Sequence, residues 1–253
     1  VVSIGHGREE VVEVMAKAAQ TNSFVLPLWL TPEREALVNE LQQHWLPPHL
    51  TRSHFTSSGS EANEAAVKMA VQYHVARGKP SKHIILTRSL SYHGATRATG
   101  GWSGHPARKK GLEQVLLKNP MIETPYPLRC PLGPYHPDAE DYYIDNLQRT
   151  IDEVDAENIA ALLAEPLCGA SGGAIAPPAN YWSRVQAILK ANDILLISDE
   201  VMTGFGRLGT KMGCDFFDMT PDLLVGGKGL SSGYAAINGV FGTDEIADAL
   251  KEG

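Results

Sequence analysis

Ile194-Leu195-Leu196-Ile197-Ser198-Asp199-Glu200-Val201 is the stretch that decides the fold. Its four leading apolar residues leave no polar face, which is the pattern of a strand buried on both sides of its sheet. Working outward, strands are predicted at 53–57, 83–87, 121–124, 160–166, 223–225 and 237–241. Helical patterns fall between most of them. One runs from Ser60 to Arg77, carries Asn63, Val67, Ala70 and His74 at helical intervals, and ends at Gly78. Ile144, Leu147, Ile151 and Val154 form a second stripe, and Tyr181, Val185, Ile188 and Leu189 a third. Strand and helix alternating in this way predict an α/β domain with a mostly parallel, seven-stranded sheet flanked by helices.

Before that alternation, Arg8 to Gln20 places Val11, Met15 and Ala18 on one helical stripe. Thr31-Pro32 reads as an N-cap and first helical position, followed by Leu37, Leu41 and Trp45. Pro47-Pro48 stops that helix. The chain therefore divides into a partial N-terminal helical segment, 1–50, and a large domain, 51–253. Val1-Val2-Ser3-Ile4-Gly5 reads as a strand entered midway, no Met stands first, and Lys251-Glu252-Gly253 falls in or just after a helical pattern. The expectation is a fragment of a longer polypeptide. Pro125 to Asp141 is a long Pro- and Tyr-rich loop suited to binding or to a dimer contact.

The 253 residues carry 22 Lys and Arg against 29 Asp and Glu, a net charge of −7 with no basic run. That argues against nucleic acid as the main partner. No stretch approaches the ~18 apolar residues of a membrane span, so no membrane partner is expected. Cys130, Cys168 and Cys214 stand far apart, which suits neither a disulfide framework nor a zinc site and points to a reducing, cytoplasmic setting. No metal is expected.

In open parallel sheets ligands sit beyond the carboxyl ends of the strands. Five predicted strands end in Ser57-Ser58-Gly59-Ser60, Ser91-Tyr92-His93-Gly94, Glu165-Pro166, Asp199-Glu200-Val201 and Gly226-Gly227-Lys228-Gly229. Together they offer a phosphate nest, an aromatic ring, two carboxylates and a lysine, the set that a phosphorylated aromatic aldehyde needs. Each has a plainer reading alone. Ser58, Gly59 and Ser60 serve equally as a helix start, Asp199 and Glu165 as caps, Lys228 as a solvated loop lysine, Tyr92 as a packing residue and His93 as any lone histidine. On the functional reading, Asp199 holds a pyridine nitrogen protonated, and Val201, two residues on and on the same strand face, packs on the ring while Glu200 points away. Lys228 is then a Schiff-base lysine among glycines that let backbone and ligand approach.

Thr56-Ser57-Ser58-Gly59-Ser60-Glu61-Ala62-Asn63, Ser91-Tyr92-His93-Gly94, Ala164-Glu165-Pro166, Asp199 to Arg207 and Lys228 to Tyr234 occur in that order. In order and spacing they resemble the class III pyridoxal-phosphate (PLP) aminotransferases, the group that includes ω-amino acid and amine:pyruvate transaminases. The resemblance runs from about Ile4 to the last residues. It implies the large domain of PLP-transferase fold type I and a PLP-dependent aminotransferase. Its substrates would be an amine or ω-amino acid donor and a keto acid such as pyruvate or 2-oxoglutarate. It implies catalytic roles for Lys228 and Asp199, and cofactor contacts from Ser58, Gly59, Ser60, Tyr92, His93, Glu165 and Val201. It also implies a homodimer with shared active sites. Met202 stands where ornithine- and γ-aminobutyrate-type relatives have Gln, which favours the amine:pyruvate type. Leu208 replaces a commoner Thr, and Ala236-Ile237-Asn238 a commoner Pro-Leu-Gly. A following Thr that reaches the neighbouring subunit's phosphate, and a small C-terminal domain with a carboxylate-binding arginine, are expected from the family and absent from this sequence.

The rival readings are a hydrolase, a nucleotide-binding enzyme, an aminomutase and a cofactor-binding fragment. Gly169-Ala170-Ser171-Gly172-Gly173 matches a hydrolase nucleophile elbow, but Pro177-Pro178 follows where a helix is required, and the last histidine is His136. Gly5-His6-Gly7 and Gly226-Gly227-Lys228 lack nucleotide-loop spacing. An aminomutase of the same fold, or a fragment that binds cofactor without turnover, stays open.

Overall fold

The computed structural model describes residues 1–26 and 29–252. In chain order come α1 (Glu9–Thr21), α2 (Pro32–Glu40), β1 (Arg52–Thr56), α3 (Gly59–Ala76), β2 (Ile84–Arg88), α4 (Arg97–Trp102), α5 (Pro106–Lys109), β3 (Met121–Ile122) and α6 (Ala139–Val154). They are followed by β4 (Ile159–Ala164), α7 (Tyr181–Ala191), β5 (Leu195–Glu200), α8 (Gly213–Phe216), β6 (Leu223–Gly226), β7 (Asn238–Gly242) and α9 (Asp244–Glu252). The strands form one sheet in the order β1-β7-β6-β5-β4-β2-β3. Only β7 runs antiparallel to its neighbours, β1 and β6. The carboxyl ends of the other strands and the start of β7 therefore share one edge.

Alternate strand residues serve two core layers. Ala161, Leu163, Leu195, Ile197 and Val225 pack with Ala62, Ala66, Val67, Ala70 and Tyr73 of α3 and Ile246 of α9. Leu162, Ala164, Leu196 and Leu224 pack with Leu147 and Ile151 of α6 and Trp182, Val185 and Leu189 of α7. This two-faced burial is why β4 to β6 read as unbroken apolar runs. The same parity aims Asp199 at the α3 side and Glu200 at the other. There Glu200 is buried and accepts hydrogen bonds from Thr203 Oγ1 at 2.6 Å, Gly213 N at 2.7 Å and Cys214 N at 2.6 Å. It thereby ties the start of α8 back to β5 and fixes the intervening loop.

Thr31 caps α2, accepting from Arg34 N, with Pro32 first in the helix. The helix runs on into a π-helical turn, Leu41–Trp45, and Leu41, Leu46 and Leu50 enter the α6–α7 core layer. Three expectations differ. α1 forms where predicted but buries no residue; Met15 is 42% exposed. Val1 to Gly5 is no strand. Val1 and Ile4 are exposed, with no sheet edge beside them, and the segment is held instead by Ser232 Oγ and Tyr234 Oη. β3 is shorter than 121–124, because Asn146 Oδ1 takes the Glu123 N–H and Ser89 Oγ the Thr124 N–H. No helix among the described residues is long and apolar enough to cross a membrane.

The end of α3 is fastened to the loop after α7 by Asp193, which accepts from Arg77 Nη1 at 2.9 Å and Lys79 Nζ at 2.6 Å. Burial pushes the Asp193 carboxyl up, but these two partners outweigh it and hold it down at about 2. Asp193 has φ +51°, a conformation Asn also tolerates. Asp193→Asn is therefore expected to cost about 1 kcal/mol at pH 7, a figure already reduced for solvent screening. A carboxyl held lower in the folded chain contributes its full stabilisation above the usual value of 3.8 and loses it as the pH falls towards about 2. Urea titrations from pH 7 to pH 3 should show the gap between variant and parent narrowing; a constant gap would assign the effect to shape rather than charge.

Candidate active site

The sheet edge defined above opens into a cavity of about 450 Å³, within the range of small-molecule sites. Ser58, Gly59, Ser60, Tyr92, His93, Glu165, Asp199, Val201 and Lys228 all line it. So do Asn63, Arg108, Met202 and Asn238, none of which the sequence reading placed among the site residues.

Each comes from a definable local structure. Ser58 caps α3, accepting from Glu61 N at 3.2 Å, while Glu61 Oε2 accepts from Ser57 N at 2.8 Å. That leaves the amides of Gly59 and Ser60 at the start of an 18-residue helix with no protein acceptor among the described residues. Such amides and the helix dipole favour an anion. A Cβ at Gly59 would meet both Val201 methyls at 3.2 Å, so the missing side chain keeps this corner open. Ser60 Oγ accepts from Ala95 N at 3.1 Å and pins the Gly94 turn above it.

Asp199 is buried near the end of β5, and three donors converge on it. Asn63 Nδ2 at 2.9 Å and His93 Nδ1 at 2.8 Å donate to Oδ2, and Val201 N at 3.1 Å donates to Oδ1. His93 thus carries its proton on Nδ1. Its Nε2 and the Oδ1 of Asn63 are buried without a protein partner. Asn63 was visible in the sequence only as a polar residue within the apolar stripe of α3; that interruption was the available signal.

Glu165 follows β4 and is buried. Its carboxylate accepts from Tyr92 N at 3.1 Å and Gly169 N at 2.9 Å, so it holds the segment that presents Tyr92. Burial pushes its carboxyl up; His93 pulls it back, and Asp199 adds to the rise. Its own main chain is held by Arg88, whose Nη1 donates to the Glu165 carbonyl at 2.9 Å. Arg88 is fully buried against the faces of Trp182 and Tyr181, at 4.6 and 5.6 Å.

Lys228 opens a single 3₁₀ turn after β6 and forms no ion pair among the described residues. Its φ is +39°, a left-handed conformation that an L side chain adopts at a cost of about 1–3 kcal/mol, and such strain gathers at functional sites. A Cβ at Gly227 would lie 2.0 Å from Asn238 Oδ1, so a larger residue there would displace that amide from the cavity wall.

The donor set fits PLP. Free amides at a helix start suit its phosphate, a buried and triply hydrogen-bonded carboxylate suits its ring nitrogen, Tyr92 and Val201 offer surfaces for its ring, and Lys228 supplies a primary amine. Orphaned polar atoms of His93 and Asn63 lie beside that carboxylate, which marks a wall built for more than packing.

A model of the class-III aminotransferases, a PLP-dependent family, matches residues 1–253. The chain is 35% identical to the uncharacterized aminotransferase YodT of Bacillus subtilis over 99% of its own length and 56% of that protein. It is 37% identical to the chloroplastic gamma aminobutyrate transaminase 3 of Solanum lycopersicum, over 98% of this chain and 48% of that one. A PLP-bound amine transaminase from an uncultivated Pseudomonas species superposes with a TM-score of 0.93 at 34% identity, covering 100% of this chain and 57% of the other. The chain thus spans about half the length of the curated relatives it matches.

Proposed function

This chain belongs to the class-III aminotransferase family, and on that premise we propose that the protein carrying it transfers an amino group from an amine or ω-amino acid to a keto acid such as pyruvate or 2-oxoglutarate. One observation supports the reading above the others. A strained lysine, a buried aspartate gripped by three donors and the free amides of a helix start all open into the same cavity.

PLP, when bound, supplies an aldehyde carbon for the incoming amine and a ring that takes up the electron pair of a broken C–H bond. The protein's part follows from its own residues. Gly59 and Ser60 N–H groups would hold the phosphate. Asp199, locked in orientation by Asn63, His93 and the Val201 amide, sets a negative charge against the ring nitrogen. Tyr92 and Val201 would flank the ring and exclude water from it. Lys228 Nζ would take the proton from the donor carbon and hold it for return. Residues 51–253 act as the PLP-binding large domain, with 1–50 as a helical approach to it. The exposed Phe24, Trp29 and Leu30 support a homodimer that covers them, and three buried free thiols support a reducing, cytoplasmic setting.

The test is a donor and acceptor screen on the PLP-loaded protein. Alanine formed from pyruvate at the expense of an amine donor, with parallel double-reciprocal lines, is the expected result. Turnover without any keto acid would favour an aminomutase. PLP uptake with no amino transfer under any pairing would reduce the protein to a cofactor binder.

A further inference from the structure

We propose that the Asn238 carboxamide is a further ligand of this cavity, donating an N–H to the phosphate of bound PLP opposite the amides that open α3. The inference rests on the PLP reading above and deepens it. Asn238 is the first residue of β7, the strand whose start shares the sheet edge with the carboxyl ends of the parallel strands. It lines the same cavity as Gly59, Ser60 and Lys228. It also stands where the family resemblance expects a glycine, so its side chain is an addition to the expected site.

Two glycines define where the carboxamide lies. A Cβ at Gly227 would lie 2.0 Å from Asn238 Oδ1, and one at Gly59 would lie 3.6 Å from the same atom. The side chain therefore bridges the first residue of α3 and the residue before Lys228. Asn238 is 8% exposed, yet among the described residues no protein group hydrogen-bonds its carboxamide. Neither polar atom is sealed in the core, as Asn63 Oδ1 and His93 Nε2 are, so what it leaves open faces the cavity. A buried amide without a partner is costly unless a ligand supplies one. The surroundings choose the chemistry of that ligand. The helix start beside it favours an anion. Asp199 accepts three hydrogen bonds and Glu165 accepts two from backbone amides, so neither carboxylate of the wall claims it. A phosphate offers three strong acceptor oxygens, more than the N–H groups of Gly59 and Ser60 fill. A carboxamide can turn either end to a partner, and an anion selects the NH₂. The competing role is that of a spacer, holding the strained Lys228 turn through its contact with Gly227.

The experiment measures equilibrium binding of PLP, and of pyridoxal, which lacks the phosphate, to the parent, Asn238→Gly and Asn238→Asp freed of cofactor. Asn238→Gly removes the donor, and PLP affinity is expected to fall about tenfold, the scale of a lost hydrogen bond to a charged group. Asn238→Asp keeps the shape but trades the donor for a carboxylate, and the fall should reach about a hundredfold. Pyridoxal affinity should stay within about twofold in both. In the parent, the side-chain NH₂ resonances of Asn238 should shift on adding inorganic phosphate alone, a reading that does not depend on a variant folding. Unchanged PLP affinity in Asn238→Asp would overturn the proposal. So would PLP and pyridoxal affinities falling by the same factor, which would make Asn238 a spacer for the lysine turn. If the parent transfers no amino group but its PLP affinity drops selectively on substitution, the phosphate contact stands and the transaminase reading fails.

Discussion

Lys228→Ala is expected to lower amino transfer by at least about 10³-fold, because it removes both the attacking amine and the group that carries the proton between carbons. The side chain makes no ion pair among the described residues, and the residue keeps a Cβ at φ +39°, so the loss should come without unfolding. PLP uptake should persist in part through the amides of Gly59 and Ser60 and through Asp199. Methylamine added to the variant should restore a fraction of the rate, since a free amine can enter the space vacated. Stopped-flow measurement of a single turnover separates this from slow product release; a rate within tenfold of the parent would remove Lys228 from the chemistry.

Asp199→Asn carries the second-largest effect, a loss of about 10²–10³-fold in turnover, the scale of removing one preorganised electrostatic partner. Its cause is legible in the hydrogen bonds. An amide has one acceptor oxygen where the carboxylate has two. Placed to accept from Asn63 and His93, it turns its NH₂ towards the Val201 N–H; turned about, it opposes the other two donors. Either way a buried donor loses its partner, at a cost to stability of about 1–3 kcal/mol. Paired measurements of kcat and of the urea midpoint should therefore both fall. Near-normal turnover in a destabilised protein would confine Asp199 to a structural role.

The strands were readable because two-faced burial writes itself as apolar runs, and the candidate site was legible as chemistry-bearing residues at the ends of five of those runs, which line one cavity. What escaped the sequence had physical reasons. α4 carries Gly100 and Gly101, which argue against a helix, yet a Cβ at Gly101 would lie 2.4 Å from the Leu117 carbonyl oxygen. Close packing requires the glycine, and a Thr96 cap with Thr99 starts the helix regardless. Val1 to Ile4 has strand composition but no neighbouring edge to pair with. α1 has an amphipathic stripe but buries no residue. Asn63 was hidden because its position belongs to a core stripe, and its role shows only once β5 lies alongside. Arg108 is followed by Lys109 and Lys110, and nothing local separates the cation that faces the cavity from its neighbours. Parity along β5, by contrast, was decisive in advance: it sent Asp199 and Glu200 to opposite faces, one into the cavity and one to anchor α8.

The proposed chemistry requires the amine of Lys228 to reach the carbonyl carbon of bound PLP. Borohydride reduction of the PLP-loaded protein, followed by peptide mass mapping, tests it without reference to turnover. The account predicts a pyridoxyl group on the peptide containing Lys228 and none in Lys228→Ala. Label on another lysine, with the Lys228 peptide unmodified, would contradict it.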